Sequence, residues 1–220
     1  MNRLWSSLIS QTGGSLLLFA VLTGFSASAQ GHPHVWVDMK VTPHFDEAGQ
    51  LTGFHQSWQF DTFYSVVLIE EMDAGDEEAK ARLIEDIVAN LSKHDFYTRV
   101  RVNGERLSLS DVGDHRLEAD GRRVEFSFFL PLDEVVTAER LHASGFSYQV
   151  FEPTYYMEML HDEAEGIVLN HGDLDCDYSI ETPEPTAEQL RRASEVDLDG
   201  VPEDPTLGQH FAETVSIQCR

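Results

Sequence analysis

The hydrophobic period of this chain changes twice, and those two switches restrict the folds open to it. Val35, Val37, Met39 and Val41 alternate with Trp36, Asp38 and Lys40, the two-residue period of a strand with one buried face. The turn signal Asp46-Glu47-Ala48-Gly49 leads to a second run over 51–60, in which Phe54, Trp58 and Phe60 share one parity. A first β-hairpin is therefore predicted. The period then lengthens. Asp61 is placed to cap a helix that begins near Thr62 and carries Phe63, Val66, Val67 and Glu70. After a polar break around Asp73-Ala74-Gly75-Asp76, residues Leu83, Ile84, Ile87, Val88 and Leu91 recur at three- and four-residue spacing, which predicts a second helix.

Beyond residue 95 the strand period returns. Residues 96–102 and 106–109 flank Asn103-Gly104, a pair suited to a type I′ turn. Residues 115–118 and 124–130 form another candidate pair across Asp120-Gly121, and 146–151, 155–160 and 166–169 read as further strands. Pro183 and Pro185 open a linker, 186–193 suit a short exposed helix, 194–206 read as loop, and 211–217 alternate again. The expected fold class is α+β, an antiparallel β-rich body with two helices between the first hairpin and the later strands. The expected organisation is a signal peptide over 1–29, a hairpin-helix-helix-hairpin region over 30–110, a β-rich region over 111–182 and an acidic C-terminal segment over 183–220. The connections are short enough for everything after the signal to form one composite unit.

The N-terminus sets the expected address. Arg3 supplies a positive start, residues 16–25 an apolar stretch, and Ala27 and Ala29 the small residues of a cleavage site, so the mature chain is expected to begin at Gln30. The apolar stretch is too short, and too interrupted by Gly13, Gly14 and Gly24, for a permanent membrane span. A soluble periplasmic protein, not membrane-spanning after processing, is expected. With 39 acidic side chains against 15 Lys and Arg, the formal charge is −24. Such a field repels nucleic acid and anionic lipid and attracts cations. An ordinary solvated surface accounts for the same acidity, so charge alone does not make a metal site. Cys176 and Cys219 are the only cysteines. In an oxidising compartment an even pair predicts a disulfide.

The chemistry-bearing residues gather near the new N-terminus. His32 and His34 share a face if extended, roughly 6.5 Å apart, and Asp38 has the same parity. Imidazole pairs suit Ni²⁺, Co²⁺, Zn²⁺ or Cu²⁺, and a nearby carboxylate completes the shell or orients a ring. His55 on the second strand and Asp61 just beyond it are further candidate ligands, although Asp61 also reads as a helix cap. Mature Gln30-Gly31-His32 offers a second mode, in which the free amine, two amides and His32 enclose Cu²⁺ or Ni²⁺ in a square plane. No Ser/His/Asp arrangement, zinc-protease spacing or nucleotide-binding glycine motif is present, so no catalytic residue is named and no enzyme is expected.

The run His32-Pro33-His34-Val35-Trp36-Val37-Asp38, followed by Ser57-Trp58-Gln59-Phe60-Asp61 and Phe63-Tyr64-Ser65, resembles the DUF1007 family. Phe96-Tyr97-Thr98, Phe151-Glu152-Pro153-Thr154-Tyr155-Tyr156, and Phe211-Ala212-Glu213 leading to Cys219 extend the likeness over most of the mature chain. The resemblance implies an exported bacterial protein associated with nickel/cobalt-type or other transition-metal permeases. It places the suggestive polar positions at His32, His34, Asp38 and Asp61. The acidic loop at 73–77 is shorter than the family's aspartate-rich insert, which argues against calcium. The implied role is a divalent-metal-binding accessory of an inner-membrane metal transporter. The alternative is a non-metal adaptor of an envelope complex, working through Trp36, Trp58, Tyr155 and Tyr156.

Overall fold

Strand period, helix period and strand period follow one another in the computed structural model, which describes residues 33–163, 166–169, 175–196 and 204–220. β1 (Val35–Phe45) and β2 (Leu51–Phe60) form the first antiparallel hairpin, then come α1 (Thr62–Asp73) and α2 (Glu77–Ser92). A 3₁₀ turn over Asp95–Tyr97 leads into β3 (Thr98–Val102) and β4 (Glu105–Arg106). The next elements are β5 (His115–Asp120), β6 (Arg123–Val136), α3 (Ala138–Ser144), β7 (Phe146–Val150) and β8 (Met157–His161). Last come β9 (Cys176–Glu181), α4 (Ala187–Glu195), a 3₁₀ turn over Leu207–Phe211 and β10 (Thr214–Cys219). The fold is α+β, with α1 and α2 between the first hairpin and the later strands.

The strands make two five-stranded sheets, ordered β5-β6-β2-β1-β8 and β4-β3-β7-β10-β9. All their pairings are antiparallel except β1 with β8. β6, from beyond residue 110, lies directly against β2, so strands from both sides of that position share one sheet. The sheets meet through one apolar core. Val35, Val37, Met39 and Val41 are buried to 2% or less exposure, as their alternation requires. Phe54 of the first sheet packs 6.0 Å from Phe146 and 5.6 Å from Tyr148 of the second. A polar bridge also crosses the core: Gln56 Nε2 donates to Thr98 Oγ1 at 2.9 Å, and Trp58 Nε1 donates to Gln56 Oε1 at 3.0 Å. Both ends of the buried amide are thereby satisfied.

The helices differ in character. α2 lays Leu83, Ile84, Ile87, Val88 and Leu91 against the core, the stripe its spacing predicts. α1 instead buries Ser65 and Leu68 and leaves Phe63 at 88%, Val66 at 47% and Val67 at 49% exposure. Several boundaries depart from the periodic reading. β6 runs on to Val136, and Thr137 then caps the unanticipated α3 by accepting from Arg140 N. β9 was not visible as a strand because only Cys176 of its residues is buried. Residues 166–169 contribute one isolated bridge, Ile167 to Val41, and the last strand begins at Thr214 after the 3₁₀ turn. The Asn103-Gly104 turn has φ of 51° and 79°, both positive, as a type I′ turn needs. Cys176 and Cys219 face each other in register and form the disulfide. The predicted signal peptide and part of the 194–206 loop lie outside the described residues.

Candidate functional site

His32 lies outside the described residues. His34 stands just before β1, where its backbone N–H donates to Tyr156 O at 2.9 Å and its ring lies 5.2 Å from the Tyr156 ring. Tyr156 is itself held by a tight loop. The buried Glu152 carboxylate accepts from Thr154 N at 2.9 Å, Thr154 Oγ1 and Tyr156 N at 2.7 Å. Gly208 N donates to Pro153 O at 3.0 Å, and a Cβ on Gly208 would sit 1.9 Å from Glu152 O. Only glycine allows that approach. Glu152 and Gly208 therefore help position the surface that His34 meets, a role not legible from their spacing.

The two candidate carboxylates near His34 are already committed. Asp61 Oδ1 accepts from Phe63 N at 2.7 Å and Tyr64 N at 3.1 Å, capping α1, while its Oδ2 accepts from Trp36 N at 3.0 Å. Asp38 pairs with Arg123 at 2.7 Å. The same guanidinium donates to Phe60 O at 2.6 Å and Gln59 O at 2.8 Å, closing the end of the first hairpin.

His55 is at the opposite end. It sits across from Thr42, about 26 Å along β1 from His34 at ~3.3 Å per residue. There its ring lies 4.7 Å from Phe129 and 5.8 Å from His44. Burial, and then the neighbouring His44, lower its pKa, while Asp114 pulls it upward. The register thus separates His55 from His34, Asp38 and Asp61. Among the described residues, no group of three or more His, Cys, Asp or Glu side chains is placed to hold a metal.

A polar cluster that spacing did not reveal lies in the core. His161 Nδ1 is 2.7 Å from Glu213 Oε2, its N–H donates to the same oxygen at 2.9 Å, and its Nε2 is 3.0 Å from the Tyr148 hydroxyl. With the proton on Nδ1, facing the carboxylate, Nε2 accepts from the hydroxyl. Burial holds the Tyr148 pKa well above its ordinary value, with Glu213 pushing the same way, so that proton stays on oxygen. Burial acts to raise the Glu213 pKa, but the two hydrogen bonds from His161, with the electrostatic pull of that residue, outweigh it and lower it. Both imidazole nitrogens are used and the side chain is 2% exposed, so His161 ties β7 and β8 to the segment entering β10 and has no free nitrogen for an ion. The three residues come from distant stretches, and no local period could have joined them.

An apolar patch adjoins the His34 end. Trp36 is 48% exposed, and with Phe63, Val66 and Val67 it puts large apolar side chains in solvent. Asp61 joins the backbones that carry Trp36 and Phe63, since its carboxylate accepts from the N–H of both. Trp58, by contrast, is 1% exposed, and Tyr155 is buried at 7% against Phe211, so neither offers a face to a partner. No described helix is long and apolar enough to cross a membrane.

The chain is similar to an uncharacterized protein of Haemophilus influenzae, 28% identical over 206 residues that cover 92% of this chain and 97% of that protein. The family model described as "Protein of unknown function (DUF1007)" matches residues 17–219. With nearly the whole length matched, the chain belongs to the DUF1007 family.

Proposed function

We propose that this is an exported periplasmic accessory of an inner-membrane metal transporter, carrying a divalent transition ion as cargo. Ni²⁺, Co²⁺, Zn²⁺ and Cu²⁺ are the ions suited to its imidazole donors. The observation that carries the reading is the position of His34 two residues before the exposed Trp36, whose backbone Asp61 joins to the start of α1 with its exposed Phe63, Val66 and Val67. An ion held at His32 and His34 would be presented beside the apolar surface that a transporter covers. Asp38 and Asp61 shape that end through Arg123 and the α1 cap, and the ligand set reduces to the two histidines and the mature amine.

Titration calorimetry of tag-free protein processed by its native host tests this, using each of the four ions. One saturable site that weakens at least tenfold in His32→Ala and His34→Ala is expected. An added N-terminal residue distinguishes the modes, since it abolishes amine-plus-His32 binding and spares a side-chain site. Binding unchanged when both histidines are replaced would remove the metal role.

The exposed patch favours a second reading, an adaptor that contacts an envelope complex without carrying an ion. Phe63→Asp should then abolish the cellular phenotype of a gene deletion's complementation, while His32→Ala/His34→Ala complements fully. Loss with both variants supports the metal accessory.

A further inference from the structure

A chain with 39 acidic side chains readily pairs its arginines with carboxylates. Arg82, Arg106, Arg123, Arg140, Arg191, Arg192 and Arg220 each have such a partner. Arg99 does not. Its guanidinium donates to the side-chain amide oxygen of Gln209 and lies 4.5 Å over the Phe151 ring. Of its five N–H donors, one is used by a protein acceptor among the described residues.

Arg99 lines a cavity of about 170 Å³ together with Arg106, His94, Asp95, Thr98 and Phe151. Arg106 spends one N–H on Asp95 at 2.6 Å. Burial lowers the Arg99 pKa, and the positive charges of Arg106 and Arg101 act the same way against a smaller opposing pull from Asp95. The two guanidiniums outnumber the one carboxylate, that of Asp95, in a molecule whose net charge is strongly negative. One wall is the turn Asp95-Phe96-Tyr97, whose residues all adopt the left-handed region, with φ of 51°, 49° and 56°. Such conformations are disfavoured for side-chain-bearing residues and persist where surrounding structure holds them. Here Phe96 is buried, and Tyr97 O accepts from Phe151 N at 2.9 Å, fixing the turn against the floor of the cavity.

We infer that this cavity is a binding site for a small oxyanion, taken by the planar fork of Arg99 and seconded by Arg106. A guanidinium held over an aromatic ring keeps the N–H groups at its edge for two oxygens of one carboxylate or phosphate. The volume suits inorganic phosphate or a short carboxylic acid. The site shares no residue with the proposed metal end, and either assignment can fail without the other.

Calorimetry of the mature protein at low ionic strength, with inorganic phosphate in one arm and acetate in the other, tests the inference. Saturable one-site binding of either anion is expected, and the arm that saturates names the source. Arg99→Gln and Arg99→Lys should each weaken it at least tenfold, the second because it keeps charge and loses the fork. Arg106→Gln should weaken it about threefold, and Arg116→Gln, on the other sheet, should leave it unchanged. If the Arg99 variants do not fold, Arg106→Gln decides. No saturable binding in either arm, or affinity unaltered in Arg106→Gln, overturns the inference.

Discussion

Asp61 shows how one side chain serves both as a local signal and as a tertiary one. Its cap was legible from position alone, directly before a helical period. Its second oxygen, bonded to Trp36 N, was not, because that partner is remote in sequence. Asp61→Ala should lower stability by about 1–2 kcal/mol, the usual loss of a carboxylate cap. A shift of the urea midpoint with unchanged slope checks this. Metal affinity should stay within about twofold of the wild type, since both oxygens already accept from backbone. Glu213 offers a pH test. Its folded pKa lies below the ordinary 4.5, so the stability it contributes is fully present above that value and is lost as pH falls through the folded one. Glu213→Gln should cost about 1–3 kcal/mol at neutral pH, because two buried His161 donors lose a charged acceptor. The difference between wild type and variant should shrink as denaturation is measured at pH values progressively below 4.5.

At the scale of elements, what differs is where each one obtains its stabilisation. β1 and α2 bury a face that their own period encodes, so both were readable from the chain. β9 buries one residue of six and depends on its ladder to β10 and on the disulfide. Replacing Cys176 and Cys219 with Ser should cost on the order of 4 kcal/mol by the chain-entropy estimate for a loop of this length. Hydrogen exchange should show the loss locally, with β9 amides opening while β1 and β2 remain protected. α3 went unread because seven residues with one buried side chain carry too little period to register, and its cap alone marks it. α1 is the converse. Its period was visible, but apolar residues around its circumference could not say which face would be covered.

Over the whole molecule, the charge of −24 supplies a diffuse attraction for cations that must be separated from any specific site. Raising ionic strength to physiological values shortens the screening length to about 8 Å. The stoichiometry of weak divalent-ion adsorption should therefore fall with added salt, while one tight site dependent on His32 and His34 remains. Equilibrium dialysis across a salt series checks the separation. The fold class, the first hairpin, the α2 stripe, the Asn103-Gly104 turn and the cysteine pairing were written in the sequence. Each is set by backbone preference, by side-chain period over a few neighbours, or by a pair count. The parallel pairing of β8 with β1, the Tyr148–His161–Glu213 tie, the separation of His55 from His34 and the seat of Arg99 over Phe151 were decided only in three dimensions. They depend on which distant segments share a sheet and in what register, and periodicity carries the direction of a side chain without naming the strand it will meet.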